Sequence, residues 1–351
     1  MLRNFSFAIL GTVLAANVAA AKSGSEPAPA LPASAELKAW YSLAECVERG
    51  FESGDRRFTF EMKKAHVYPK VLRDGKIVGA FRSESASTNV EGEIATFNIS
   101  RALGCSDFFQ PATGMEMRGA GLATLKQLMK TVPFPPIKEP DRAQVLAEIE
   151  GNPEALTGVF KQALPMRAVK YHSIERADVP PNGVMNEADP IARHLKNYAP
   201  QPGAELMTPP NVGGRAPTVT LARELSDILL VDALAGQWDR FSGGNLHMLV
   251  VAGTARFIAV DNGGAGYDGD HGNLEQFKRT VTRFDRRVAA RLFALEDFLD
   301  KGGDFLGFRD EHALGRALKI DEGRHWEVFK DRVRQVAAHI RACGDGSFFR
   351  E

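Results

Sequence analysis

From Gly236 to Gly263 the chain reads Gly-Gln-Trp-Asp239-Arg-Phe-Ser-Gly-Gly-Asn245-Leu-His-Met-Leu-Val-Val, then Ala-Gly-Thr-Ala-Arg-Phe-Ile-Ala-Val-Asp261-Asn-Gly. Leu246–Val251 and Phe257–Val260 are strand-like apolar runs, and Ala252-Gly253-Thr254 is the turn between them. An apolar helix leads in, with Leu221, Leu225, Ile228, Leu229 and Ala233 at helical spacing and a stop at Gly236. A helix, a polar loop and a hairpin in that order place Asp239, Asn245 and Asp261 around one two-stranded unit. Each residue alone is ordinary turn chemistry, and Asp-Asn-Gly after a strand is a common turn signal. The combination is what constrains the fold.

The termini and the balance of charge set further bounds. Arg3, the apolar run Phe7–Ala16 and the small residues Ala19-Ala20-Ala21 read as an export signal spanning residues 1–21. Residues 22–38 are rich in Pro, Ala and Ser and read as a tether. No later stretch approaches the apolar length of a membrane span, so the expectation is a secreted or periplasmic protein with no transmembrane segment. Lys and Arg total 44 against 44 Asp and Glu. That balance gives no net field to favour nucleic acid. Cys46, Cys105 and Cys343 allow at most one internal disulfide, with three possible pairings. No zinc spacing occurs. Asp268-Gly-Asp270-His-Gly-Asn lacks the fifth ligand (Gly272) and the closing Glu (Arg279) of a calcium loop.

Upstream, strands are expected from Thr59 to Arg82, with Val67–Leu72 and Ile77–Arg82 flanking a tight turn at Arg73-Asp74-Gly75-Lys76. Thr88-Asn-Val-Glu91 reads as a capping box for a helix carrying Ala95, Ile99 and Leu103 and ending at Gly104. Glu93 sits in its first turn, where a solvated acid would also be at home. Residues 117–157 read as loops around a short helix near Leu122–Met129, and Gly158–Pro165 as an extended segment joining two lobes. Residues 180–217 read as long surface loops, and Val281–Leu299 and Trp326–Cys343 as helices.

Three motifs carry a family resemblance. Gly92-Glu93-Ile-Ala-Thr-Phe-Asn-Ile-Ser-Arg-Ala-Leu-Gly, Gln237-Trp-Asp239-Arg240 and Val260-Asp261-Asn262-Gly263 resemble the helix, catalytic loop and metal-binding turn of secretory-pathway kinases. These are typified by Four-jointed and the Golgi casein kinases, with CotH and HipA as distant relatives. The similarity spans about residues 60–115 and 218–266. It implies an α+β, two-lobed atypical protein-kinase-like fold with a small sheet-rich N-lobe (39–165) and a larger helical C-lobe (166–351).

It also implies ATP and Mg²⁺ or Mn²⁺ as cofactors and a protein Ser/Thr or glycan hydroxyl as acceptor. Asp239 would be the base. Asp261, Asn245 and Glu93 would serve the metal, and Arg82 with Glu93 the nucleotide. Asp232 reads either as a brace for the catalytic loop through backbone N–H groups or as a plain helix-end residue. Three departures from the pattern stand out. Arg82 replaces the usual Lys, as in Four-jointed, Gln237 replaces Asn, and Phe241 stands where His is common. They leave open a catalytically inactive kinase-like domain that binds a protein or glycan.

Overall fold

The computed structural model describes residues 30–64, 66–85, 88–164, 168–176, 184–196, 206–207, 214–267, 272–320 and 323–349. The export signal and the first four residues of the rejected calcium loop, 268–271, lie outside these residues. Helix α1 (Ala35–Ser53) opens the described chain, with Ser34 as its N-cap. The tether drawn to residue 38 therefore gives way to helix earlier than its composition implied. Leu37, Trp40, Ala44, Val47 and Phe51 fall on one buried face of α1, and the Trp40 ring stacks on Phe160 at 6.1 Å.

Strands β1 (Phe58–Met62), β2 (Pro69–Arg73) and β3 (Lys76–Ser83) form a meander, with Asp74 and Gly75 in the left-handed region at the tight turn. Helix α2 (Val90–Leu103) follows. Asn89 is the N-cap and accepts from the Gly92 amide, one residue later than the capping box suggested, and Gly104 closes the helix at φ +76°. Strand β4 (Ala112–Arg118) runs straight into α3 (Gly119–Thr131), and α4 (Glu139–Gly151) leads to β5 (Ala155–Gln162).

All five strands pair antiparallel in the order β1-β2-β3-β5-β4. Two expectations are corrected here. Met117–Gly121 is a strand end and a helix start, where the glycines suggested a loop. Residues 158–162, expected to join the lobes, belong to the second most interior strand of the sheet. An internal Gly158 masked that strand: a side chain there would meet the Arg82 carbonyl and the Phe81 ring.

The second lobe contains β6 (Val169–Lys170), α5 (Pro190–Arg193), β7 (Leu206–Met207) paired with β8 (Ala216–Pro217), and the central helix α6 (Thr218–Ala235). Fifteen of the eighteen α6 residues are buried, so this helix is the axis of the lobe. Gly236 ends it at φ +70°. The hairpin β9 (Leu246–Val251) and β10 (Thr254–Ala259) turns at Ala252-Gly253, and β6 adds to its β9 edge.

Helices α7 (Asn273–Thr280), α8 (Arg286–Lys301), α9 (Glu311–Leu318) and α10 (Arg324–Cys343) complete the lobe. The helix expected from Val281 starts only at Arg286, because Asp285 caps it by accepting from the Arg287 and Val288 amides. The Gln110 amide donates to the Ala259 carbonyl at 2.9 Å and ties the two lobes together. All three cysteines are free. Among the described residues, no helix is long and apolar enough to cross a membrane.

Candidate active site

A cleft of about 1200 Å³ lies between the sheet and the hairpin, lined among others by Tyr68, Ile77, Arg82, Lys161, Asn245, His247 and Asp261. The register of the sheet supplies one wall. Ala80 pairs with Lys161 and Arg82 with Val159, so Arg82 and Lys161 project from the same face. Helix α2 brings Glu93 to that face. Glu93 is fully buried, not a solvated acid. Its Oε1 accepts from Lys161 Nζ at 2.5 Å, and its Oε2 accepts from the Asn262 amide at 3.0 Å.

Arg82 donates to Asp261 Oδ1 in a short contact, passes 3.6 Å from Glu93, and stacks its guanidinium over Tyr68 at 4.1 Å. Its Nε is buried with no hydrogen-bond partner. Lys161 lies 3.8 Å from Asp261. Four charged groups thus form one neutral cluster at the back of the cleft. Burial would raise the Asp261 carboxyl pKa, but Arg82 and Lys161 reverse this and hold it well below the usual carboxylate range. Burial and the neighbouring Arg82 lower the pKa of the Lys161 ammonium, against Glu93 and Asp261.

The other wall comes from the loop after α6. Asp239 is half-buried, and burial raises its pKa, helped by Asp261 and opposed by Ser242 and Asn245. Asn245 donates its side-chain amide to the Asp239 carbonyl at 2.9 Å and to Oδ2 at 3.2 Å. Gln237 donates to the Asp261 carbonyl at 2.9 Å, which gives this departure from the family pattern a physical task. Gly264 must be small, since a Cβ there would lie 2.3 Å from Gln237 Oε1 and 2.8 Å from the Asp239 Cβ. Asp261 itself adopts φ +53°, a conformation Asp and Asn tolerate better than most residues.

Asp232 does brace this loop, by a route the sequence did not reveal. Both its oxygens accept from Arg240, which also donates to the Asn245 and Val260 carbonyls and to Asn262 Oδ1. The residues singled out from sequence, Arg82, Glu93, Asp239, Asn245 and Asp261, are therefore gathered around one cleft. Lys161 and Arg240 were missed. A charged residue near a strand end, or beside a loop Asp, reads as solvated until long-range pairing is known.

The donor set suits a hard divalent ion held jointly with phosphate oxygens. Asp261 keeps 43% of its side chain exposed toward the cleft, and Asn245 has its carbonyl oxygen left to offer once its amide nitrogen is bonded to Asp239. No group of three His, Cys, Asp or Glu side chains able to hold a metal unaided occurs among the described residues. Magnesium sites of this type take one or two protein ligands and the rest from substrate and water. Glu93 fits less directly, because both its oxygens already have partners.

The sequence matches no known family and no curated protein. Solved structures do match the fold. The Golgi casein kinase aligns at a TM-score of 0.58 and 15% identity over 91% of this chain and 79% of that one. Its form with Mn/ADP bound aligns at 0.55 and 14% over 91% and 78%. The structure of hydra Fam20 with sugar aligns at 0.58 and 15% over 92% and 95%.

Proposed function

Starting from a chain with the α+β fold of the Golgi casein kinase, we propose an exported, ATP-dependent phosphotransferase acting on a hydroxyl of a protein Ser/Thr or a glycan. One observation carries this reading: Asn245 and Asp261, from two ends of one hairpin, line a cleft with Arg82 and Lys161 that has space for a nucleotide, and Asp239 and Glu93 adjoin it through their contacts with Asn245 and Lys161. The closeness of Asp239 to Asn245, and of Asn245 and Asp261 to one cleft, supports the roles that the resemblance implies for them.

Phosphoryl transfer needs charge cancelled on the phosphates, an acceptor held in line, and a carboxylate near the attacking oxygen. In the proposed reaction the acceptor oxygen bonds to the γ-phosphorus and the bond to the β–γ bridging oxygen breaks, releasing ADP. Asp239 takes the hydroxyl proton, and its raised pKa makes it a better base than an ordinary surface Asp. Asp261 and the Asn245 carbonyl oxygen would hold Mg²⁺ or Mn²⁺, which neutralises phosphate charge when bound. Arg82 would turn the terminal nitrogens of its fork, now on Asp261, to the phosphates. Glu93 organises the site through Lys161 and the Asn262 amide, instead of touching the metal.

The second reading is a nucleotide-binding or partner-binding domain without turnover. It is favoured by the direct Arg82–Asp261 ion pair, which occupies the metal carboxylate in this structure. The mature protein incubated with ATP, Mn²⁺ or Mg²⁺ and panels of Ser/Thr peptides and glycans tests both. Acceptor-dependent ADP release supports the transferase. Nucleotide binding with no ADP under any condition supports the inactive domain. The proposed residence is the periplasm or the cell exterior, supported by the leader-like residues 1–21.

A further inference from the structure

Arg82 is held from two directions. One of its in-plane N–H donors goes to Asp261, and one face of its guanidinium lies over the Tyr68 ring, 4.1 Å from the ring centre. The Arg82 side chain is only 13% exposed, so the ring contact is made largely away from water. Tyr68 ends the segment that joins β1 to β2, and the His66 ring packs against it at 5.0 Å. It lines both the cleft of about 1200 Å³ and a smaller cavity of about 190 Å³ that it shares with Arg82, Lys138 and Asp141. Nothing in the proposed reaction uses it.

The two anchors differ in what they leave free. A carboxylate takes up N–H donors, whereas a ring occupies the face and leaves the donors at the edge open. A divalent ion at Asp261 would withdraw the carboxylate anchor from Arg82. Glu93, 3.6 Å away, is already engaged by Lys161 and the Asn262 amide. Tyr68 is then the contact that fixes the plane of the guanidinium while its donors turn to phosphate.

We propose that Tyr68 is a positioning residue whose ring holds the Arg82 fork edge-on to the phosphates of a bound metal–nucleotide. The inference rests on the phosphotransferase reading. It also accounts for an Arg where the family pattern has Lys, because an ammonium has no flat face to lay on a ring.

The test is equilibrium binding of ATP with Mn²⁺, and of inorganic tripolyphosphate with Mn²⁺. The proteins are the wild-type chain, Tyr68→Leu, Tyr68→Phe, Arg82→Lys, and Tyr68→Leu combined with Arg82→Lys. Tyr68→Leu should raise the Kd of both ligands about tenfold, the scale of a cation–π contact made away from water. Tyr68→Phe keeps a ring and should lose less, about threefold at most. The combined loss should fall short of the product of the two single losses by about threefold or more, because Arg82→Lys has already given up the stack.

Single losses that multiply would overturn the proposal, as would unchanged binding in Tyr68→Leu or a Tyr68→Phe loss as large as that of Tyr68→Leu. A loss seen with ATP but not with tripolyphosphate would place Tyr68 on the base or ribose and overturn it too. Should Tyr68→Leu fail to fold, Tyr68→Gln takes its place in the same comparison. A wild-type chain that binds neither ligand would end the phosphotransferase reading and this proposal with it. Wild-type binding with losses that multiply would end only the role of Tyr68.

Discussion

Arg240 and Asp232 meet in a two-pronged ion pair, with both bonds at 2.8 Å and both side chains no more than 2% exposed. The remaining Arg240 donors reach the Asn245 and Val260 carbonyls at 2.9 Å and Asn262 Oδ1 at 2.7 Å. All five donors of the fork are therefore used. One side chain joins the end of α6, the loop that carries Asp239, and the turn that carries Asp261. The relative placement of the Asp239 and Asp261 carboxylates depends on it.

Arg240→Met should therefore destabilise the fold by about 3–5 kcal/mol, since Asp232 would remain buried and uncompensated. Denaturant unfolding measures it. Burial raises the Asp232 pKa against Arg240, so part of the loss should be relieved at acid pH, where a protonated Asp232 no longer needs the cation. A loss below about 1 kcal/mol, the range of surface pairs, would mean that the clamp contributes little.

Asp239→Asn should keep nucleotide binding and lower turnover by about 10²–10⁴-fold, the usual range for a general base. The amide can keep its hydrogen bond with Asn245 but cannot accept the acceptor's proton. Steady-state ADP release beside a binding titration separates the two effects. Full turnover in this variant would remove Asp239 from the reaction.

Arg82→Ala should raise the KM for ATP about ten- to hundredfold, and Arg82→Lys by less than about tenfold, since a Lys retains charge but loses the fork. Kinetics on both variants at saturating metal checks this ordering. An unchanged KM in Arg82→Ala would place the phosphate grip on another cation, with Lys161 and Lys170, which also line the cleft, as the next to examine.

The hairpin, its loop and Asp239, Asn245 and Asp261 were legible because they lie within 26 residues and follow local rules: alternation, turn glycines and a helix stop. The α2 helix was legible for the same reason, although its cap fell on Asn89. What the sequence hid is long-range. Glu93 reads as a helix-dipole acid, yet its partner Lys161 is 68 residues away on a strand interrupted by Gly158. Residues 139–151 gave no clear helical signal, and α4 buries only Asp141, Val145 and Ile149. Asp232 was noticed and Arg240 was quoted with its motif, but their pairing was not foreseen, because an Arg beside a loop Asp has many solvated counterparts. The lobe limit at residue 165 remains a proposal and falls outside the described residues, whereas α1 already begins at Ala35, before the tether limit at residue 38.

Asp227 provides a test of the core away from the cleft. It is 4% exposed, and its Oδ1 has no hydrogen-bond partner. Burial first, and then the Asp285 carboxylate, raise its pKa well above the ordinary value, against Arg287 and Arg223. A carboxyl whose folded pKa exceeds its unfolded one supports the fold below the unfolded pKa and loses that support as pH rises through the folded pKa. Asp227→Asn does not titrate, so it should melt about 2 °C or more above wild type at pH 8, with the gap closing toward pH 4. A gain that is the same at both pH values would contradict this sign.

The most direct test of the central claim is calorimetric titration of ATP into the wild-type chain and Asp261→Asn, each with and without Mn²⁺. Asn suits this position better than Ala because it tolerates φ +53° and preserves the turn. The prediction is that wild type binds ATP tightly only with the metal, and that Asp261→Asn loses at least about tenfold of that metal-dependent affinity while remaining folded. Equal affinity in the two proteins, or wild-type binding indifferent to Mn²⁺, would contradict the assignment of this cleft as a metal-dependent nucleotide site.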